Sequence, residues 1–194
     1  MNRLARVLVS AAAFMLAGCG SVPLTSIPRL ARIDARTTDL SMLRVAVQLP
    51  DALRPRSGGV KLDVVTKVAG EAEARSSFAM LEMSEARERG GLPAAPQGSS
   101  TYAYRLSPGD AARFEALRAS MVEQGKNGKR GSMGLGVAAK EFCRASIAPQ
   151  ASLPVAIYLM TSETKNFVPV VRDFDLLGDP AMAGGLESIQ PCGQ

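Results

Sequence analysis

Histidine and tryptophan are both missing from the 194 residues, and aromatic residues of any kind make up 5%. Without histidine the commonest general base is gone, so Ser-His-Asp and Cys-His catalysis are excluded. Zinc loses its usual ligands as well, because the three cysteines are scattered and no CxxC occurs. No GxSxG is present, and no phosphate loop is completed. The basic, glycine-rich run Lys126-Asn127-Gly128-Lys129-Arg130-Gly131 fails that pattern, since Arg130 stands where Ser or Thr is needed and the run follows a helical stretch. A membrane-spanning run is also lacking at the N-terminus, where the apolar stretch Val7 to Ala17 has eleven residues. As a helix it covers roughly 16 Å, against about 30 Å of hydrocarbon.

That short stretch has a different use. Arg3 and Arg6 give it a positive start and small residues precede Cys19, which is the layout of an export signal. Leu16-Ala17-Gly18-Cys19 resembles the lipobox of bacterial lipoproteins at all four positions: Leu, then Ala or Ser, then Gly or Ala, then an obligatory Cys. The resemblance is confined to the first twenty or so residues. It implies diacylglycerol on the Cys19 sulfur, cleavage before Cys19 by signal peptidase II, and acylation of the new amino group. Two or more acyl chains hold a protein firmly where one holds it marginally, so acylated Cys19 would anchor the chain without a transmembrane helix. Gly20 is not the Asp that retains such proteins at the inner membrane, so the implied address is the periplasmic side of the outer membrane.

With residues 1–18 removed as signal peptide, 21 basic and 18 acidic residues leave a net charge of only +3. Nucleic acid is therefore not an expected partner. The charge is concentrated near the anchor: Arg29, Arg32, Arg36, Arg54 and Arg56 could lie against anionic headgroups or form an ordinary solvated face. Once Cys19 is assigned to lipid, Cys143 and Cys192 remain, 49 residues apart. In an oxidising compartment they are expected to form a disulfide that ties the C-terminal tail to the strand carrying Cys143.

Residues 19–40, with Pro23 and Pro28, read as a tether, within which Ile27, Leu30 and Ile33 could form a helical turn. Residues 41–194 read as a single α+β domain with a largely antiparallel sheet of about seven strands and one main amphipathic helix. Leu43, Val45, Val47 and Leu49 alternate with polar or small residues, the mark of a strand with one buried face. A second strand starts at Val60 and changes face near Val65; a third starts at Phe78. Residues 87–100 read as a long mobile loop, and Tyr102 and Tyr104 share a face of the fourth strand. Ser107 as cap, Pro108 at the first helical position and Asp110 in the first turn predict a helix ending at Gly125, with Ala111, Phe114, Leu117 and Met121 on its apolar stripe. In the next strand Ser132, Gly134, Gly136 and Ala138 form a small face, suited to close approach of the helix or to a ligand slot. Residues 155–160 read as a strand buried on both faces, and Pro169 marks its partner as an edge strand.

Three kinds of function are compatible with this inventory. The first is a lipid-anchored, non-catalytic binding or assembly module of the cell envelope, for example an auxiliary part of a transport system. The second is a carrier of hydrophobic, lipid-like ligands, with a pocket between sheet and helix lined by Phe114, Met121 and Met133. The third, an enzyme using Asp173 and Asp175, lacks supporting site residues in the sequence. No metal site and no cofactor is expected. Intact mass of the membrane-extracted protein tests the address: the expected species begins at Cys19 and carries acyl chains, and Cys19→Ser releases the chain from membranes.

Overall fold

The computed structural model describes residues 23–84, 90–146, 151–182 and 184–193. Cys19, the signal stretch, residues 85–89, which include the first three of the 87–100 loop, and Pro149 lie outside the described residues. The described elements are a short helix α1 (Ile27–Leu30), strands β1 (Arg44–Pro50), β2 (Leu53–Pro55), β3 (Val60–Val68), β4 (Ala74–Glu82) and β5 (Ser99–Leu106), the long helix α2 (Pro108–Lys126), then β6 (Gly131–Ala139), β7 (Phe142–Arg144), β8 (Pro154–Met160) and β9 (Val168–Asp175). The class is α+β. Seven strands form one antiparallel sheet in the order β6-β3-β4-β5-β1-β8-β9, curled into a half-barrel. β2 and β7 make a separate two-stranded ribbon.

Strand periodicity decides what lies inside the curl. Leu62 of β3 sits opposite Phe78 of β4 and Val137 of β6, while Val45 of β1 sits opposite Tyr104 of β5 and Leu159 of β8. These residues line the concave face and form one continuous core. The face change expected within the second strand does not occur: Val60, Leu62, Val64, Thr66 and Val68 are buried in strict alternation, and Val65 points outward. β1 also departs from expectation, because nearly all of it is buried on both faces. The cause is Gln48, only 5% exposed, whose Nε2 donates to the carbonyls of Pro93 and Ala94 while its Oε1 accepts from Tyr158 Oη. Loop residues 90–98 are thereby fastened over the convex face of β1, in place of the mobile loop that its glycines and prolines suggested. β8 in turn is buried mainly on one face, not both.

Helix α2 starts where its capping signals place it, with Ser107 Oγ accepting from the Asp110 amide at 2.9 Å. It continues through Gly125 to Lys126, one turn of carbonyls being satisfied by the Asn127 and Lys129 amides. Phe114 is fully buried and stacks on Phe78 with ring centroids 5.3 Å apart, which seats the helix on the concave side. The stripe read from the sequence omits the residue that matters next to it. Arg118 is 8% exposed and lies 4.7 Å from the centre of the Phe114 ring. Its Nε donates to Ala35 O at 2.9 Å, its Nη2 to Thr38 O at 2.7 Å and its Nη1 to Glu115 at 2.8 Å. A buried guanidinium is costly unless its donors are answered, and here two backbone carbonyls of the N-terminal segment answer it.

The same segment is pinned from its other side. Thr38 is fully buried, and its Oγ1 donates to Glu163 at 2.7 Å, next to Ser162, which accepts from the Asp39 amide. The expected tether therefore joins the fold by Ala35 and Thr38. At the opposite end of the chain Cys143 of β7 and Cys192 form a disulfide, S–S 2.02 Å. Around it Cys192 N donates to Arg144 O and Arg144 N to Gln190 O, each at 2.9 Å, so the tail lies along β7 as an added short strand.

Two measurements follow from the Arg118 and Glu163 contacts. Arg118→Ala removes three hydrogen bonds and leaves two buried carbonyls unanswered, so urea unfolding is expected to show a loss of about 2–4 kcal/mol. Glu163 is the pH-sensitive partner: burial raises its pKa, but hydrogen bonds from Thr161, Thr38 and Ser162 outweigh this and hold it below the ordinary glutamate value. A carboxylate with a depressed folded pKa contributes stability above its unfolded value that is lost as pH falls through the folded one. Thermal midpoints taken downward from pH 5 should therefore drop more steeply for the wild type than for Glu163→Gln.

Candidate functional site

The half-barrel does not close. β6 pairs with β3 and β9 pairs with β8, and these two strands are the ends of the sheet. Between them runs an open slot with a volume of about 560 Å³, inside the roughly 300–1,000 Å³ usual for small-molecule sites. One wall is β6 from Gly134 to Ala139. The other is aliphatic and aromatic: Val155 and Ile157 of β8, Val171 and Phe174 of β9, and Leu176 just beyond. A second stretch of about 270 Å³ shares Gly134 and Leu135 with the first and continues along Met133, Leu159 and Val170 to Leu30, Ile33 and Ala35 of the N-terminal segment.

Sequence explains why β6 leaves room. Met133, Leu135 and Val137 are opposite Thr66, Val64 and Leu62, half-buried against the core and also bordering the slot, whereas Gly134, Gly136 and Ala138, which alternate with them, carry almost no side chain. An added Cβ at Gly134 would meet no atom within 4 Å, and at Gly136 the nearest atom is Asp63 Cβ at 3.8 Å. The small face borders open space and is not the helix seat. The helix makes its close approach elsewhere: an added Cβ at Gly131 would stand 2.6 Å from Met121 Cε. The second wall is shaped by irregular pairing. Val155 faces Phe174 and Ile157 faces Val171, so two steps along β8 match three along β9, and a second shift follows at Pro169. Such bulges bend an edge strand away from regular pairing, and they accommodate a proline that cannot donate.

Four charged residues also line the slot. Asp63 and Arg75 form an ion pair at 3.7 Å on the neighbouring strands β3 and β4, and Lys140 and Asp179 are the other two. The rest of the lining is mostly apolar, the usual character of a site for small apolar groups.

The residues singled out in the sequence fall in different places. Phe114 fills the sheet–helix interface with its ring, so the pocket expected there is occupied by the core itself. Met121 covers Gly131, and of the three expected pocket residues Met133 lines the slot, in its second stretch. Cys143 and Cys192 are bonded to each other, away from the slot. Asp173 and Asp175 do not continue a regular alternation, because Asp173 has φ 55° inside the bulge. Asp175 caps a turn: its Oδ1 accepts from the Leu153 amide at 2.8 Å and the Leu177 amide at 3.0 Å. Among the described residues no three His, Cys, Asp or Glu side chains are grouped so as to hold a metal ion.

Val171, Phe174 and Ile157 were missed as site residues because a β-strand's apolar residues look the same whether they face a filled core or an open slot. The alternation of glycine and apolar residues in β6 was the one usable signal. Fold and slot together describe an open half-barrel with a largely apolar slot between its edge strands. Comparisons with protein-family models, with curated proteins and with solved structures find no match to this chain. Among the described residues no helix is long and apolar enough to cross a membrane.

Proposed function

We propose that this protein is a lipid-anchored, non-catalytic binding module of the bacterial envelope, held at the periplasmic side of the outer membrane by acylated Cys19. Its ligand is an elongated apolar group, such as the acyl chain of a lipid-like molecule, lodged between β6 and β9. The observation that carries the ligand half is the size and lining of the slot: about 560 Å³, walled mostly by apolar residues of β6, β8 and β9, with Asp63, Arg75, Lys140 and Asp179 as its charged members. A lining that combines glycine and alanine of β6 with Val155, Ile157, Val171, Phe174 and Leu176 suits burial of a methylene chain, and the charged lining residues could meet a polar head. The lipobox supports the address.

A second reading, assembly with another envelope protein, is favoured by one specific feature. β6 is an edge strand with small outward side chains, and an extended peptide could add to its unpaired side. Either reading suits an auxiliary component of an envelope transport system.

Displacement of a fluorescent fatty acid from the full-length protein tests the first reading. Wild type is expected to bind, and Gly134→Leu, which puts a side chain into open space at no steric cost to the fold, should weaken binding roughly tenfold or more, equivalent to about 1.4 kcal/mol. Its unfolding midpoint should stay where it is in the wild type. Equal affinity of the two proteins, or no binding by either, would remove the slot as a ligand site.

A further inference from the structure

We infer that Leu24 and Ile27, with Arg29 and Arg32, form a surface that docks on an anionic bilayer and places against it the segment that borders the slot's second stretch. The inference rests on the proposed acylation of Cys19 and adds to it an orientation. Leu24 is 82% exposed and Ile27 49%, the most exposed large apolar residues of the N-terminal segment. They lie three residues apart on consecutive helical turns, which puts them on one face. Arg29 and Arg32 of the same short segment are also exposed, bordering a groove with Glu163 and Asn166. This pairing of apolar and basic side chains suits the boundary between headgroups and acyl chains.

Two further facts select a bilayer as the occupant. Four residues, Gly20 to Pro23, separate the acylated position from Leu24, so even a fully extended connection reaches only about 18 Å. A patch tied that closely to a lipid group remains within reach of the headgroup layer. The segment is also not free to swing away: Ser26, Ala35 and Thr38 are buried, and Arg118 fixes the carbonyls of Ala35 and Thr38. Leu30 and Ile33, on the same segment, form part of the wall of the slot's second stretch. A bilayer against Leu24 and Ile27 therefore lies on the segment that also borders the slot's second stretch.

The chain has no tryptophan, so a single introduced one reports its own position. Full-length Leu24→Trp and Ile27→Trp are to be compared with Val122→Trp, which replaces an equally exposed residue of α2 (58%) outside the patch. Each is reconstituted into phosphatidylethanolamine vesicles with or without phosphatidylglycerol, and quenching by brominated acyl chains is read. The proposal expects quenching several-fold stronger at 24 and 27 than at 122, falling when Arg29 and Arg32 are both changed to Glu. Quenching at 24 and 27 no stronger than at 122, in protein whose mass shows acylated Cys19, would overturn the surface and leave the anchor standing. If the mass shows no acyl group, the anchor has failed and the surface is judged by flotation of the same chain with anionic vesicles. Flotation abolished by Leu24→Asp with Ile27→Asp supports it, and no flotation of the parent chain overturns it.

Discussion

A sheet that curls without closing has to cover its concave face with something other than its own strands. In this protein the cover is helix α2, and the contact that holds it is the stack of Phe114 on Phe78 with Arg118 lying over the second side of the arrangement. The guanidinium carries the constraint outward, because its Nε and Nη2 donate to the carbonyls of Ala35 and Thr38. Helix, sheet and N-terminal segment are thus one packed unit whose charge is buried only because all three are present. Removing any of the three exposes either an apolar concave face or an unanswered polar group.

What α2 and the N-terminal segment leave uncovered is the interval between the two edge strands. Unpaired strand edges tend to recruit other strands, and proteins protect them with bulges, prolines or short side chains. β9 has two register shifts and Pro169, and β6 has Gly134, Gly136 and Ala138. These devices keep the edges from joining each other and also leave an apolar slot between them. The proposed ligand role is thus a consequence of how the fold avoids closure.

Much of the architecture was legible because it depends on local chemistry. Ser107, Pro108 and Asp110 fix a helix start with neighbouring groups alone, and the alternation in β3 follows from one buried face. Other features escaped because their partners are distant in sequence. Gln48 reads as the polar side of a half-buried strand until the carbonyls of Pro93 and Ala94 are brought to it. Arg118 reads as solvent-facing until the segment 80 residues earlier packs over it. The β2–β7 ribbon, three residues per strand, is too short for any periodicity to mark. The pocket assigned to Phe114 and Met121 was misplaced for a related reason. Apolar residues on a helix stripe show that a face is buried, and whether the burial is complete depends on what arrives opposite.

By itself, then, the sequence determined the α+β class, the strands and helix with strong local signals, and the pairing left to Cys143 and Cys192 once Cys19 was set aside; it also carries Leu16-Ala17-Gly18-Cys19, whose resemblance to a lipobox is what the proposed address rests on. Those features depend on residue order and on groups within a few positions of one another. Tertiary structure alone decided that the sheet stays open, that Arg118 is a core residue, and that the small side of β6 looks across a gap at Val171 and Phe174. Each of these depends on the curvature of a seven-stranded sheet, which brings the first and last strands in its order toward each other and which no stretch of the chain encodes locally.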